Sequence, residues 1–130
     1  MAYPTGSGSE ILRRGSIIGL TNQATAVDFD GTDETTKNQV TSAVPALHIV
    51  TILNITITDA SETTGKKVFI SKRGSTATNV YLLYDYPIGA KETFVWSEKI
   101  VLIGGDKLVF NANASANYDV SYCYIDQDWS

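Results

Sequence analysis

The stretch PALHIVTILNITITD, residues 45–59, decides the fold, because it is the longest run of alternating residues in the chain. Such period-two alternation of β-branched residues is typical of a half-buried β-strand. One alternate set is predicted to face the core: Leu47, Ile49, Thr51, Leu53, Ile55 and Ile57. The other set is apolar only in its first half, at Val50 and Ile52. We therefore expect a neighbouring subunit to cover that half, with Val50 and Ile52 at the interface.

Shorter runs of the same kind follow from Ile17 onward, and none of them keeps a helical period. The predicted strands are 17–20, 24–29, 46–58, 66–71, 79–86, 92–96, 99–103, 106–111 and 118–125. Pairs such as Asp30-Gly31 and Gly104-Gly105 supply the positive φ angles that tight turns need. Parallel strands would need crossover helices, for which the sequence has no candidate. The sequence therefore predicts an all-β fold, a single antiparallel β-sandwich of jelly-roll type with about eight strands.

The opening residues, MAYPTGSGSEILRRGS, differ from this pattern, because glycine and serine alternate and Pro4 removes a backbone donor. They are predicted to form an extended N-terminal arm at 1–16, followed by the β-sandwich domain at 17–130. Ordering a Gly-Ser segment costs conformational entropy, so we expect a partner surface to order the arm. Its predicted anchors are Tyr3, Ile11, Leu12, Arg13 and Arg14.

Composition narrows the choice of partners and of compartment. The chain has 130 residues, enough for one domain, and its net charge is −4, with +1 on the first sixteen residues and −5 on the remainder. An acidic body argues against nucleic acid as a partner. No apolar run approaches the length that spans a bilayer, and Gly19 interrupts the run that an export signal would need. With a single cysteine there is no internal disulfide, so we expect folding in a reducing cytoplasm.

No catalytic set can be assembled from the sequence. His48 and Cys123 are the single histidine and the single cysteine, and each alternates with its neighbours as an ordinary strand residue does. We therefore expect neither an enzyme nor a cofactor. The acidic run at 28–34 lacks the distal glutamate of a twelve-residue calcium loop and is predicted to be a solvated turn. No metal site is predicted, although calcium stays open as the less favoured alternative.

Aromatic residues are concentrated in a few strands: Tyr81, Tyr84 and Tyr86 in one, Phe94 and Trp96 in the next, and Tyr118, Tyr122 and Tyr124 in the last. Amphipathic rings suit a core, a subunit interface or an exposed platform for sugars. We favour core and interface, with Tyr122 at the interface, and keep the sugar platform as the alternative. Trp129, in the polar tail IDQDWS, is predicted to fold back or to dock on a neighbour.

Four segments carry a resemblance to a known group of proteins: VPALHIVTILNITITD (44–59), KKVFISKRGS (66–75), ETFVWSEKIVLIGGDKLVF (92–110) and YDVSYCYIDQDW (118–129). Together they resemble small virion structural proteins of tailed bacteriophages. The central stretch from Ile100 to Val109 has Gly105-Asp106 in its middle, a pattern that also occurs in trimeric jelly rolls of the tumour-necrosis-factor and complement-head type. Gly105 and Asp106 are predicted to form a tight turn between two strands.

This resemblance implies a capsid decoration or cement protein, a head-fibre protein or a neck-associated protein. Such a protein is assembled in the bacterial host cytoplasm and is located on the virion. Its partners would be major capsid or neck proteins and further copies of itself, with a homotrimer favoured, and it would attach through the arm. The alternative is a receptor- or glycan-binding knob of a tail or neck fibre, with a glycan of the host surface as its ligand.

Overall fold

The structure, a computed structural model, describes residues 9–31, 33–36, 38–60, 66–74, 78–113 and 117–130. These residues form nine strands and no helix. The strands are β1 (Ser9–Leu20), β2 (Thr25–Ala26), β3 (His48–Asp59), β4 (Lys66–Arg73), β5 (Asn79–Ile88), β6 (Thr93–Trp96), β7 (Ile100–Ile103), β8 (Lys107–Ala112) and β9 (Tyr118–Asp128). None of the described residues belongs to a helix that could span a membrane.

The strands form two antiparallel sheets with jelly-roll connectivity. Sheet A has the order β1–β9–β3–β6, with β7 also paired to β3, and sheet B has the order β2–β8–β4–β5. Strands β7 and β6 pair with successive halves of β3, so together they act as one interrupted strand. Counted in this way, eight strands pass between the two sheets in the order that defines a jelly roll. The predicted all-β antiparallel sandwich is confirmed.

The core lies between the sheets and is made of aliphatic and aromatic side chains from both. Its largest fully buried members are Tyr118, Tyr122, Tyr124, Phe110, Ile17, Leu20, Ile52, Ile55, Ile57, Ile70, Leu102 and Leu108. In β9 the even-numbered residues from Tyr118 to Asp126 are buried and the odd-numbered ones face outward. Because β9 is the second strand of sheet A, its odd-numbered side chains lie on the outer face of that sheet.

A β-bulge in β3 corrects the predicted facing of the decisive strand. The pairing with β9 shifts between Ile52 and Asn54, which leaves Leu53 as an extra residue. Ile55 and Ile57 face the core as predicted, but before the bulge the phase is reversed, and Val50 and Ile52 are fully buried within one chain. They therefore cannot contact a neighbouring subunit. The residues that face outward in this half are Ile49, Thr51 and Leu53, all half-buried.

The predicted division at residue 16 is also corrected. Residues 9–16 form the first part of β1 and pair in unbroken antiparallel register with β9, from Ser9 opposite Asp128 to Ser16 opposite Ser121. They belong to the sandwich because the alternation that begins at Ile17 extends backward through Gly15, which is buried, and Arg13, which is half-buried. Only residues 1–8 remain as a candidate arm, and they lie outside the described residues.

Gly105 and Asp106 lie in the turn that joins β7 to β8. Gly105 has a φ of 91°, the Asp106 amide donates to the Ile103 carbonyl at 2.9 Å, and the Ile103 amide donates to Asp106 Oδ2 at 3.1 Å. A Cβ atom at Gly105 would meet nothing within 4 Å. Glycine is therefore needed here for its backbone conformation and not for space.

We expect Gly105→Val to lower the free energy of unfolding by about 1–2 kcal/mol, because a β-branched residue is strained at positive φ. Gly105→Asn is the matched control, since asparagine tolerates positive φ far better, and we expect it to cost less than half as much. Thermal melts of the three proteins measure the difference. Equal melting temperatures for the valine and asparagine variants would contradict the explanation that glycine is needed to avoid backbone strain at this turn.

Three buried tyrosines make the fold sensitive to alkali. Burial, as the main cause, raises the pKa of Tyr118, Tyr122 and Tyr124 from about 10 to about 12. The folded chain therefore holds these protons more tightly than the unfolded chain does. This contribution to stability is fully present below pH 10 and is lost as the pH rises through about 12.

We accordingly expect the chain to unfold between pH 10 and pH 12. Tyrosinate absorbance and circular dichroism, recorded on the same samples, measure the ionisation and the unfolding. Three of the seven tyrosines should ionise only as the circular dichroism signal of the fold is lost. Ionisation of all seven while that signal persists would contradict the buried placement.

Candidate functional site

The two residues with nucleophile or base chemistry lie apart. His48 opens β3 opposite Asp128, whereas Cys123 lies five residues earlier on β9, roughly 17 Å along the strand. Cys123 faces outward and its thiol donates to Asn54 Oδ1 at 3.3 Å, while His48 lies on the inner side of sheet A. The two side chains therefore do not form a nucleophile–base pair.

His48 instead takes part in an ion-pair cluster at one end of the sandwich. Its Nδ1 lies 2.8 Å from Asp126 Oδ1, and its Nε2 lies 3.3 Å from Asp128 Oδ1. Arg13 Nε is 3.5 Å from the other oxygen of Asp126. Asp126 is buried, so the Arg13 guanidinium and the hydrogen bond with the His48 ring offset the cost of removing its charge from water. For Asp128, bonds from Ser130 chiefly lower the pKa of the carboxyl group, and His48 adds to this. The cluster fastens β1 and β3 to β9.

We expect Asp126→Ala to destabilise the fold by about 1–2 kcal/mol. That is less than a fully buried pair would cost, because Arg13 and His48 are both partly exposed and can be hydrated. Asp33→Ala is the control, since its 3.9 Å pair with Arg14 is exposed on both sides and should contribute under about 0.5 kcal/mol. Urea unfolding measures both variants, and equal losses would contradict a structural role for the cluster.

The outer face of sheet A carries apolar side chains across four strands. Register pairs align Leu12 of β1 with Ile125 of β9, Ile125 with Thr51 of β3, and Thr51 with Val101 of β7. In the next row, Ile49 pairs with Ile103. We name these six residues the sheet A strip: Leu12, Ile125, Thr51, Val101, Ile49 and Ile103. Leu12 is 70% exposed and Val101 is 56% exposed, so the strip lies open on the surface.

The predicted anchors of the arm have different environments in the structure. Ile11 and Leu12 are exposed, and Arg14 lies at the surface near Asp33. Arg13 differs from these, because it is half-buried and forms an ion pair with Asp126 of its own chain. Tyr3 lies outside the described residues.

The predicted interface residues are mostly inside the chain. Val50, Ile52 and Tyr122 are buried, and the Tyr122 hydroxyl lies 2.7 Å from Thr35 Oγ1. Tyr122 is therefore a core residue and not an interface residue. Trp129 is half-buried and folds back, with its amide donating to the Leu47 carbonyl at 3.0 Å.

The tyrosines divide between core and surface. Tyr118, Tyr122 and Tyr124 are in the core, but Tyr81 and Tyr84 of β5 are exposed and line a groove on the outer face of sheet B. The aromatic-rich sequence of β5 gave a signal for this groove. Its other members could not be identified from sequence, because most of them come from β4, from β8 and from the segment before β2.

Asp28, in the acidic run at 28–34, accepts hydrogen bonds from donors of its own chain. Asp28 Oδ1 accepts from Ser42 Oγ and from Gln39 Nε2, and Asp28 Oδ2 accepts from the Thr36 amide at 3.3 Å. These bonds fasten the long connection between β2 and β3. Among the described residues no group of three or more His, Cys, Asp or Glu side chains is placed to hold a metal ion.

Comparisons with known proteins bear on the fold. No protein-family model matches the chain, and no curated protein matches its sequence. Among solved structures, the fold is similar to a protein of Bacillus endospore appendages, described as disulfide-linked pili, with a TM-score of 0.50, 13% identity and coverage of 100% of this chain and 97% of that one.

Two phage capsid proteins are also among the similar structures. The capsid of Helicobacter pylori bacteriophage KHP30 has a TM-score of 0.48 at 12% identity, covering 95% of this chain and 92% of that one. A pentameric capsid protein from metagenomic phage sequences has a TM-score of 0.40 at 14% identity, covering 90% and 61%. At these identities the likeness is one of fold alone.

Proposed function

We propose that this chain is a non-enzymatic structural protein of a tailed-phage virion, located on the capsid or neck, and that it assembles with further copies of itself. The observation that carries the proposal is the sheet A strip, an uncharged apolar surface that spans four strands. The sequence resemblance to phage virion proteins supports the virion. The jelly roll supports it as well, since this architecture is widely used in capsid shells.

The chemistry of the strip favours a second copy as its occupant. The chain has a net charge of −4, so two copies repel one another over most of their surfaces. The strip has no charged member, and Glu10, which continues the row of Ile49 and Gln127, is the acidic residue at its β1 end, so copies that meet there bring fewer like charges together than they would elsewhere. Beside it, a groove of about 500 Å³ is lined by Leu12, Leu53 and Cys123 together with the charged Arg13, Arg14 and Asp33. The apolar surface of the strip and this groove would be removed from water in such a contact.

The proposed assembly is a trimer, and its attachment to other virion proteins involves the N-terminal end of the chain. Residues 1–8 precede Ser9, which begins β1 at the edge of sheet A. Leu12, in the strip, is three residues further along the same strand. We therefore propose that Tyr3 and its neighbours contact a capsid or neck protein next to the strip.

Sedimentation at micromolar concentration tests the assembly surface. The intact chain should sediment as an oligomer, and Leu12→Asp combined with Val101→Asp should sediment as a monomer with an almost unchanged melting temperature. Val95→Asp is the matched control, because Val95 is 57% exposed on the same face but next to Thr56 and outside the strip. A monomeric intact chain, or a double variant that remains oligomeric, would overturn the proposal.

A further inference from the structure

A groove on the outer face of sheet B, opposite in the sandwich to the sheet A strip, has the features of a small-ligand site. It has a volume of about 260 Å³. It is lined chiefly by Phe69, Ser71, Arg73, Tyr81, Tyr84 and Asn111. Ser71 and Val109 are buried at its base, whereas Tyr81 is 48% and Tyr84 is 68% exposed. From this geometry we propose that the groove binds the pyranose ring of a saccharide.

The aromatic residues of the groove form a fixed three-ring group. Phe69 lies edge-to-face with Tyr84 at 5.2 Å and with Tyr81 at 6.4 Å between centroids, and the two tyrosines are 4.8 Å apart. Each ring contacts the other two, and these contacts reduce the side-chain freedom that would be lost when a ligand binds. The exposed ring faces offer an apolar surface of the size of a sugar ring.

The backbone of β5 is irregular where it builds this platform. Residues three apart in a regular strand point to opposite faces, yet Tyr81 and Tyr84 are on the same side. Two register shifts in the pairing of β4 with β5 make this possible, and Asp85, next to Tyr84, has a φ of 53°. Bulges and positive φ at a non-glycine residue are concentrated at functional sites.

The polar members of the groove match the hydroxyl groups of a sugar. Arg73 Nε donates to Asn79 Oδ1 at 2.8 Å, which orients both side chains at the groove. Asn111 and Ser71 add an amide and a hydroxyl. An aromatic face with neutral donors and acceptors beside it fits the apolar C–H face and the hydroxyl edge of a pyranose. Among the described residues that line the groove, Arg73 is the one cation, which is too few for a phosphate-rich ligand in an acidic chain.

The test is a titration of the intact chain with lactose, maltotriose, cellotriose and chitotriose at millimolar concentrations. Changes in the chemical shifts of the backbone amides report binding. At least one probe should shift the signals of residues 69–73, 79–84 and 109–111 in a saturable manner. Tyr81→Ala and Tyr84→Ala should each weaken that binding roughly tenfold or more. Tyr84→Phe, which keeps the ring, should retain it. Tyr86→Ala is the matched control, because Tyr86 is on the same strand but packs against Phe94.

Three results would overturn the inference. The first is that none of the four probes binds. The second is that the Tyr81→Ala and Tyr84→Ala variants, shown by circular dichroism to be folded, bind as the intact chain does. The third is that these variants lose the oligomer seen in sedimentation, because the groove would then be covered by a second copy. The inference is independent of the sheet A strip, so Leu12→Asp with Val101→Asp should leave saccharide binding unchanged.

Discussion

Deletion of residues 2–14 is expected to destabilise the sandwich by about 4 kcal/mol or more, and little folded protein should remain at elevated temperature. The deletion removes the half of β1 that pairs with β9 from Ser9 to Arg14. It also removes Arg13 from beside the buried Asp126 carboxylate and leaves the edge of β9 unpaired. Thermal unfolding followed by circular dichroism measures the loss.

Deletion of residues 2–8 is the matched control, because it leaves every residue of β1 in place. It should change the melting temperature little. If the deletion of 2–14 melted like the intact chain, residues 9–16 would be a separable arm after all, and the pairing of β1 with β9 would not contribute to stability.

Gly15→Ala is expected to lower the free energy of unfolding by about 3 kcal/mol, although this change commonly stabilises a strand. A Cβ atom at position 15 would lie 2.5 Å from the Tyr122 hydroxyl oxygen and 2.6 Å from its Cζ. The Tyr122 ring cannot move aside, because it stacks on Tyr124 and its hydroxyl is bonded to Thr35 in the core. Urea unfolding gives the free energy.

A double-mutant cycle with Tyr122→Leu isolates the contact. Leucine lacks the hydroxyl oxygen and both ring carbons that a Cβ at position 15 would meet within 2.7 Å, so the combined variant should lose clearly less stability than the sum of the two single variants. Additive losses would mean that Gly15 is required for a reason other than its approach to Tyr122.

The strand pattern was readable from sequence because period-two alternation reports which residues share a face. It failed in β3 at the point where the chain departs from that period. The bulge at Leu53 adds one residue, so the alternation after it predicts the wrong face for the residues before it. The apolar character of both faces was read correctly, but the outward-facing members are Ile49 and Leu53 and not Val50 and Ile52.

The N-terminal segment shows a second limit. Residues 9–16 include a glycine, three charged residues and two serines, a composition that is unusual for a strand. Two of the residues that are unusual in a strand have a specific reason in the tertiary structure: Arg13 pairs with Asp126, and Gly15 leaves room for the Tyr122 ring. Neither reason is visible before β1 and β9 are placed side by side.

The two candidate surfaces depend on the same kind of information. The sheet A strip joins Leu12 to Val101, and the sheet B groove joins Phe69 to Tyr81 and Asn111. Which of these residues are neighbours is decided by the jelly-roll pairing and its register. The sequence predicted that some aromatic and apolar residues would be exposed or at an interface. Which of these residues are neighbours follows only from the fold.

The most direct test of the structural role is the protein content of purified phage particles assembled from a genome that encodes this chain. The proposal predicts that quantitative mass spectrometry finds the intact chain in many copies per particle. It also predicts that the folded Leu12→Asp and Val101→Asp double variant is depleted at least tenfold, roughly the effect of losing a central apolar contact, while Val95→Asp is retained. Absence of the intact chain from the particles, or equal incorporation of the double variant, would contradict the proposal.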